Sequence, residues 1–216
     1  MCFTLNAKAK IEDIQQKKGL KVVEIQKYEP NTKINGFTHP TLPVVTNEQS
    51  DTIQFYSWGL IPAWASAEKA DELSNLTLNA KAETIFEKPS FKDSIMTKRC
   101  LVLVDGFYEW RHEGKTKIPY YISLKNNETF ALAGLWSKWT DPISQTPKFT
   151  FSIITTEANP LMEYVHNSKK RMPLMLTKEA ETQWLQNNLS KTDIINLMKP
   201  FDESLMKADT QTLRLF

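Results

Sequence analysis

Residues 100–124 read CLVLVDGFYEWRHEGKTKIPYYISL, and their apolar, β-branched and aromatic content predicts strands at 100–104, 107–111 and 118–124. His112, Glu113, Gly114 and Lys115 form the hairpin turn between the last two. Further strands are expected at 130–136 and 149–155. Many strands in succession, with helices grouped rather than alternating one for one, indicate an α+β fold: a mainly antiparallel open β-barrel or sheet with flanking helices.

Upstream, Ile11 and Ile14 predict a short amphipathic helix at 9–18, followed by a strand at 20–27 and a turn-rich loop at 29–43. Residues 51–60 (DTIQFYSWGL) read as a strand running into a turn. Helix is expected at 66–74 and at 82–98, the latter interrupted by Pro89. Downstream, Asn159-Pro160 is a helix start with Asn as cap and Pro at the first helical position, so 161–165 is helical and ends near His166. A strand at 172–176 and helices at 178–185 and 192–197 complete the pattern. Neither repeats nor linkers occur, so the 216 residues form one domain, with the motif-bearing part at 1–176 and a helical C-terminal elaboration at 177–216.

Hydrophobic residues at 41% and charged residues at 24% are the balance of an ordinary globular chain. A formal charge of +2 confines any basic site to a local patch. No membrane span and no secretory signal are evident, so a cytoplasmic protein is expected. Two cysteines, Cys2 and Cys100, are too few for a disulfide framework and lack zinc-ligand spacing; no metal is expected. In such a setting the Asn-x-Ser/Thr triplets at Asn75, Asn127 and Asn188 are chance matches.

Removal of Met1 would leave Cys2 with an α-amine and a thiol on adjacent carbons. Both titrate near neutrality. An aldehyde meets this pair twice: the amine forms an imine and the thiolate closes on its carbon, giving a thiazolidine. The plainer reading is that Cys2 is simply packed. Asn79, in NAKAET, either orients a polar ligand or caps the following helix. Glu109, flanked by aromatics in DGFYEW, either has its pKa raised for proton transfer or faces outward on its strand. His166 is one of three histidines and precedes the basic run Lys169, Lys170 and Arg171, which either holds phosphates or is a solvated cluster. Of six tryptophans, Trp58 and Trp64 bracket the turn WGLIPAW and are the two expected to be partly exposed for stacking, although core packing is the commoner use.

In this order Cys2, WGLIPAW, NAKAET, RCLVLVDGFYEW, TTEAN and HNSKKRMPLML closely resemble the SRAP (SOS response-associated peptidase) family over residues 1–176. The resemblance implies a monomer that finds abasic sites in single-stranded DNA during the DNA damage response, associating with the nucleoid when bound. It captures the ring-opened deoxyribose aldehyde on its N-terminal cysteine as a thiazolidine crosslink, with lyase and autopeptidase activities implied beside it. Carried over by motif, Cys2 is the nucleophile, Asn79 orients it and the sugar, Glu109 transfers protons on the imine path, and His166 assists ring opening or reversal. Lys81 replaces the arginine of the NARAET form, keeping the charge without the bidentate fork. Together with Arg99 and Arg171 it is a candidate phosphate contact, and Trp58 and Trp64 are candidate wedge or stacking residues. No cofactor is implied. Phe3 and Thr4 depart from the usual Gly-Arg after the cysteine, which alters the surroundings of Cys2. Two other readings compete: an N-terminal-nucleophile hydrolase using the α-amine as base, with self-removal of Met1 as its minimum form, and a non-catalytic single-strand-binding module.

Overall fold

A computed structural model describes residues 2–23 and 28–211. The chain opens with strand β1 (Thr4–Ala7) and helix α1 (Ile11–Lys18), which buries Ile11 and Ile14 and ends where Gly19 turns left-handed at φ 66°. Strand β2 (Lys21–Val22) follows; the rest of the strand expected at 20–27 lies largely outside the described residues. The expected loop at 29–43 instead holds β3 (Asn31–Asn35) and the start of β4 (Thr41–Thr46). Its turn formers misled because β3 is a polar edge strand with one buried residue, Ile34, and pairing with β1 overrides local propensity. Pro43 is tolerated in β4 because pairing with the next strand on that side begins only at Val44.

Strand β5 (Gln49–Trp58) leads to α2 (Ala67–Leu76), β6 (Asn79–Lys81), a 3-10 turn at Ala82–Thr84 and α3 (Lys92–Thr97). The continuous helix expected before Pro89 is thus a single tight turn. Strands β7 (Arg99–Val104), β8 (Gly106–Glu113), β9 (Thr116–Leu124), β10 (Phe130–Thr140) and β11 (Pro147–Glu157) come next, as the sequence leads one to expect. The hairpin turns at Gly114, whose φ is 58°, with Glu113 opposite Thr116. After α4 (Pro160–Val165) lie β12 (Arg171–Pro173), β13 (Met175–Leu176), α5 (Lys178–Trp184) and α6 (Lys191–Leu197). The C-terminal part is not purely helical: β14 (Met206–Thr210) pairs along β9.

The class is α+β, in one domain. Strands β11, β10, β7, β4 and β5 pair antiparallel in that order, and a parallel contact of β5 with β11, Ser57 opposite Thr150, closes them into a five-stranded barrel. Every residue of central β7 is buried, as a strand paired on both sides and covered on both faces requires. A second, antiparallel sheet runs β14, β9, β8, β1, β3. Among the described residues no helix is long and apolar enough to cross a membrane.

Candidate active site where the two sheets meet

Strand β1 brings Cys2 to the site. Pairing with β8, Thr4 opposite Tyr108, runs the preceding residues alongside Glu109. Cys2 is 1% exposed, and its Sγ lies 3.9 Å from the carbonyl of Thr4. Burial, and after it the charge of Glu109, pushes the thiol far above its ordinary range. It therefore needs a base before it can attack.

Asn79 comes from the other sheet, where β6 lies parallel to β11 with Asn79 opposite Ile153. It is a strand residue, not a helix cap; its Nδ2 donates to the carbonyl of Cys2 at 2.8 Å. Its buried Oδ1 has no hydrogen-bond partner among the described residues. A buried orphan acceptor is costly unless a ligand meets it.

Glu109 faces inward on β8 and is 4% exposed. Burial pushes its carboxyl up to about 7, so both protonation states are populated near neutrality. His166 caps the C-terminal end of α4, whose start is fixed by Asn159 accepting from the amide of Met162 at 2.9 Å. Its Nδ1 donates to the carbonyl of Arg171 at 2.9 Å and stands 3.9 Å from Oε1 of Glu109. That bond fixes the neutral tautomer and makes Nε2 the acceptor nitrogen. Burial keeps the ring below its ordinary pKa.

Glu109 and His166 line a cavity of about 700 Å³ together with Phe3, the neighbour of Cys2, and Lys81, Lys117, Lys169 and Arg171. Four cations around one carboxylate favour an anionic ligand. Arg171 bonds Oε1 of Glu83 at 2.5 Å and the carbonyl of Thr155 at 2.6 Å, so it is a braced wall of the cavity rather than a mobile arm. No motif marks Lys117; the hairpin register that puts it opposite His112 is its only signal.

Two expected contacts are corrected. Arg99 is fully buried and bonds the carbonyls of Trp184 at 3.0 Å, Ile95 at 2.9 Å, Met96 at 2.7 Å and also Gln186. It ties α3 and α5 to the barrel and cannot reach DNA. Trp58 is equally buried, donating from Nε1 to the carbonyl of Leu78 at 2.8 Å and stacking on Phe151, because the end of β5 turns it into the core. Trp64 is 55% exposed but does not line this cavity.

Fold and site together define a barrel protein with a buried cysteine, a tuned carboxyl and an imidazole beneath a basic cavity. The chain belongs to the SOS response associated peptidase (SRAP) family, which it matches over residues 1–212. It is 41% identical over 169 residues to the abasic site processing protein YoqW of Bacillus subtilis, covering 77% of this chain and 72% of that one. Similarity extends to the abasic site processing protein HMCES of Gallus gallus, 32% identical over 148 residues, spanning 59% of this chain and 43% of the relative. A crystal structure of a protein from Bacteroides thetaiotaomicron superposes with a TM-score of 0.93 at 44% identity, covering 97% of this chain and 91% of that one. Another, from Bordetella bronchiseptica, shares the fold at 20% identity with a TM-score of 0.83, covering 98% of this chain and 100% of the other.

Proposed function

We propose that this chain acts as a monomer on abasic sites in single-stranded DNA, capturing the ring-opened sugar covalently on Cys2 once Met1 is removed. The observation that carries the reading is the convergence on Cys2 of a carboxyl poised at about 7 and an orienting amide, under a cavity lined by cations. The names of the relatives point the same way.

His166, neutral with Nε2 as acceptor, takes the proton of the anomeric hydroxyl as the C1′–O4′ bond breaks and returns it to O4′, leaving the open-chain aldehyde and a 4′-hydroxyl. The α-amine of Cys2 adds to the aldehyde carbon, and Asn79 Oδ1 accepts a hydrogen bond from the resulting carbinolamine. Glu109, as the carboxylic acid, protonates the departing hydroxyl, so that water leaves and an iminium remains. The same group, now a carboxylate, removes the Sγ proton as sulfur closes on the iminium carbon. One water is released per thiazolidine formed. Lys81, Lys169 and Arg171 hold the flanking phosphates. The acid and base pair equally suits the lyase step and the self-removal of Met1 that the resemblance implies.

The test is incubation with a single-stranded oligonucleotide carrying one abasic site, with intact mass confirming loss of Met1. A shift that survives denaturation is expected. Cleavage of peptide substrates without that shift, or an equal shift with Cys2→Ala, would overturn the reading.

A further inference from the structure

Beside the Cys2 cavity lies another, of about 770 Å³, that shares Phe3 and Lys81 with it. None of the residues lining it is acidic, and Lys81 and Lys88 supply its charge. Phe3, Phe37 and the buried Phe91 are its aromatic residues, and the rings of Phe3 and Phe37 pack with centroids 5.0 Å apart. Phe37 is 51% exposed, which leaves a large apolar face in water.

The backbone holds that ring out. Asn35 Oδ1 accepts from the amide of Phe37 at 3.1 Å, and the hydroxyl of Thr38 donates to the carbonyl of Asn35 at 2.8 Å. The amide of Gly36 donates to the carbonyl of Phe3 at 2.9 Å. Gly36 also lies so close to the buried Trp58 ring that a Cβ there would stand 2.9 Å from it. Phe37 is thereby fixed to the segment that carries Cys2 and to the core.

We propose that Phe3 and Phe37 form a stacking platform for the unpaired nucleobase next to the abasic sugar, with Lys81 and Lys88 meeting the adjoining phosphates; this rests on the abasic-site reading above. An exposed aromatic ring, Phe37, backed by Phe3 at an interplanar angle of 35° and set beside lysines without carboxylates, suits a base on a polyanionic strand better than an acidic or neutral peptide. Continuity of the two cavities through Phe3 and Lys81 puts the base one nucleotide from the reacting sugar. Phe3 stands where the family motif has glycine, so the platform belongs to this chain rather than to the motif.

Two arms test it. In the first, 2-aminopurine flanks a tetrahydrofuran abasic analogue, which has no aldehyde, on the 5′ or the 3′ side. Wild type is expected to quench its emission on one side, Phe37→Ala to leave it bright, and Phe37→Trp to restore quenching. In the second, crosslinking is followed against oligonucleotide concentration. Phe37→Ala is expected to raise the half-saturating concentration about tenfold when bases flank the abasic site, and not when tetrahydrofuran residues do. Equal quenching by wild type and Phe37→Ala, no quenching by wild type on either side, or the same tenfold loss with both oligonucleotides would overturn the platform. Failure of abasic capture itself shows separately, as absence of crosslink with wild type on every oligonucleotide, while the quenching arm still reads the platform.

Discussion

Cys2 and Cys100 are equally buried, and burial raises both thiols, yet their surroundings differ in kind. Cys100 lies in the barrel wall on β7, where Gly134 leaves just enough room for its sulfur and Trp184 bonds its carbonyl at 3.1 Å. Desolvation is all that acts on it. Cys2 lies at the junction of the two sheets, with the charge of Glu109 acting on its sulfur, Asn79 bonded to its carbonyl and a cation-lined cavity alongside. Burial alone makes a thiol inert; a base and a route for substrate make it usable. The largest effect should divide the two cysteines outright. Cys2→Ala is expected to lower the crosslinking rate by more than about a thousandfold, whereas Cys100→Ala stays within about twofold of wild type, read from time courses on denaturing gels. Comparable losses in both would dissolve the distinction.

Glu109 is what separates the two environments, so its removal should come next in size. Capture needs Glu109 as the acid that expels water and the α-amine free to add, so the wild-type rate should rise with the free amine and fall as Glu109 ionises through about 7, giving a maximum between the two. Glu109→Gln is expected to be about a hundredfold slower at that maximum and to keep only the rising limb set by the α-amine, near about 8. A pH profile unchanged by the substitution removes the carboxyl from the chemistry.

This division was only partly legible in the sequence. The strands between 100 and 155 were, because apolar and aromatic runs there leave little else for the chain to do. Closure of the barrel was not: β5 and β11 touch across some ninety positions, and no local period encodes such a contact. Nor was β14, a polar edge strand whose place is set by β9 rather than by its own propensity. Cys2, Asn79, Glu109 and His166 were found through ordered motifs, each being ambiguous alone. Arg99 and Trp58 were misread for the same reason: both residue types are seldom fully buried, so sequence favours exposure unless the carbonyls that satisfy them can be seen.

The raised carboxyl of Glu109 also marks the Cys2 region energetically. Its pKa goes from 4.5 to about 7 on folding, so the folded state holds the proton more tightly than the unfolded chain. That stabilisation is fully present below 4.5 and is lost as pH rises through about 7. Glu109→Gln, which cannot ionise, should match wild type near pH 4 and be more stable by about 3 kcal/mol near pH 8.5, measured by urea denaturation. Cys100→Ala should shift stability by the same amount at both pH values, since no carboxyl acts on that sulfur.

The smallest effect concerns the cations, where the same contrast recurs between a group inside the fold and one at the cavity. Each lysine that neutralises a phosphate of a single strand contributes about −0.7 to the slope of log K against log salt. Lys169 lines the cavity, so Lys169→Ala should flatten that slope by about this amount and weaken binding to all sequences alike. Arg99→Lys is the converse. Its guanidinium bonds four backbone carbonyls and a lysine cannot, so the denaturation midpoint falls while the salt slope stays as it was. A slope changed by Arg99→Lys and unchanged by Lys169→Ala would mean that DNA approaches from the α3–α5 side of the barrel, away from Cys2.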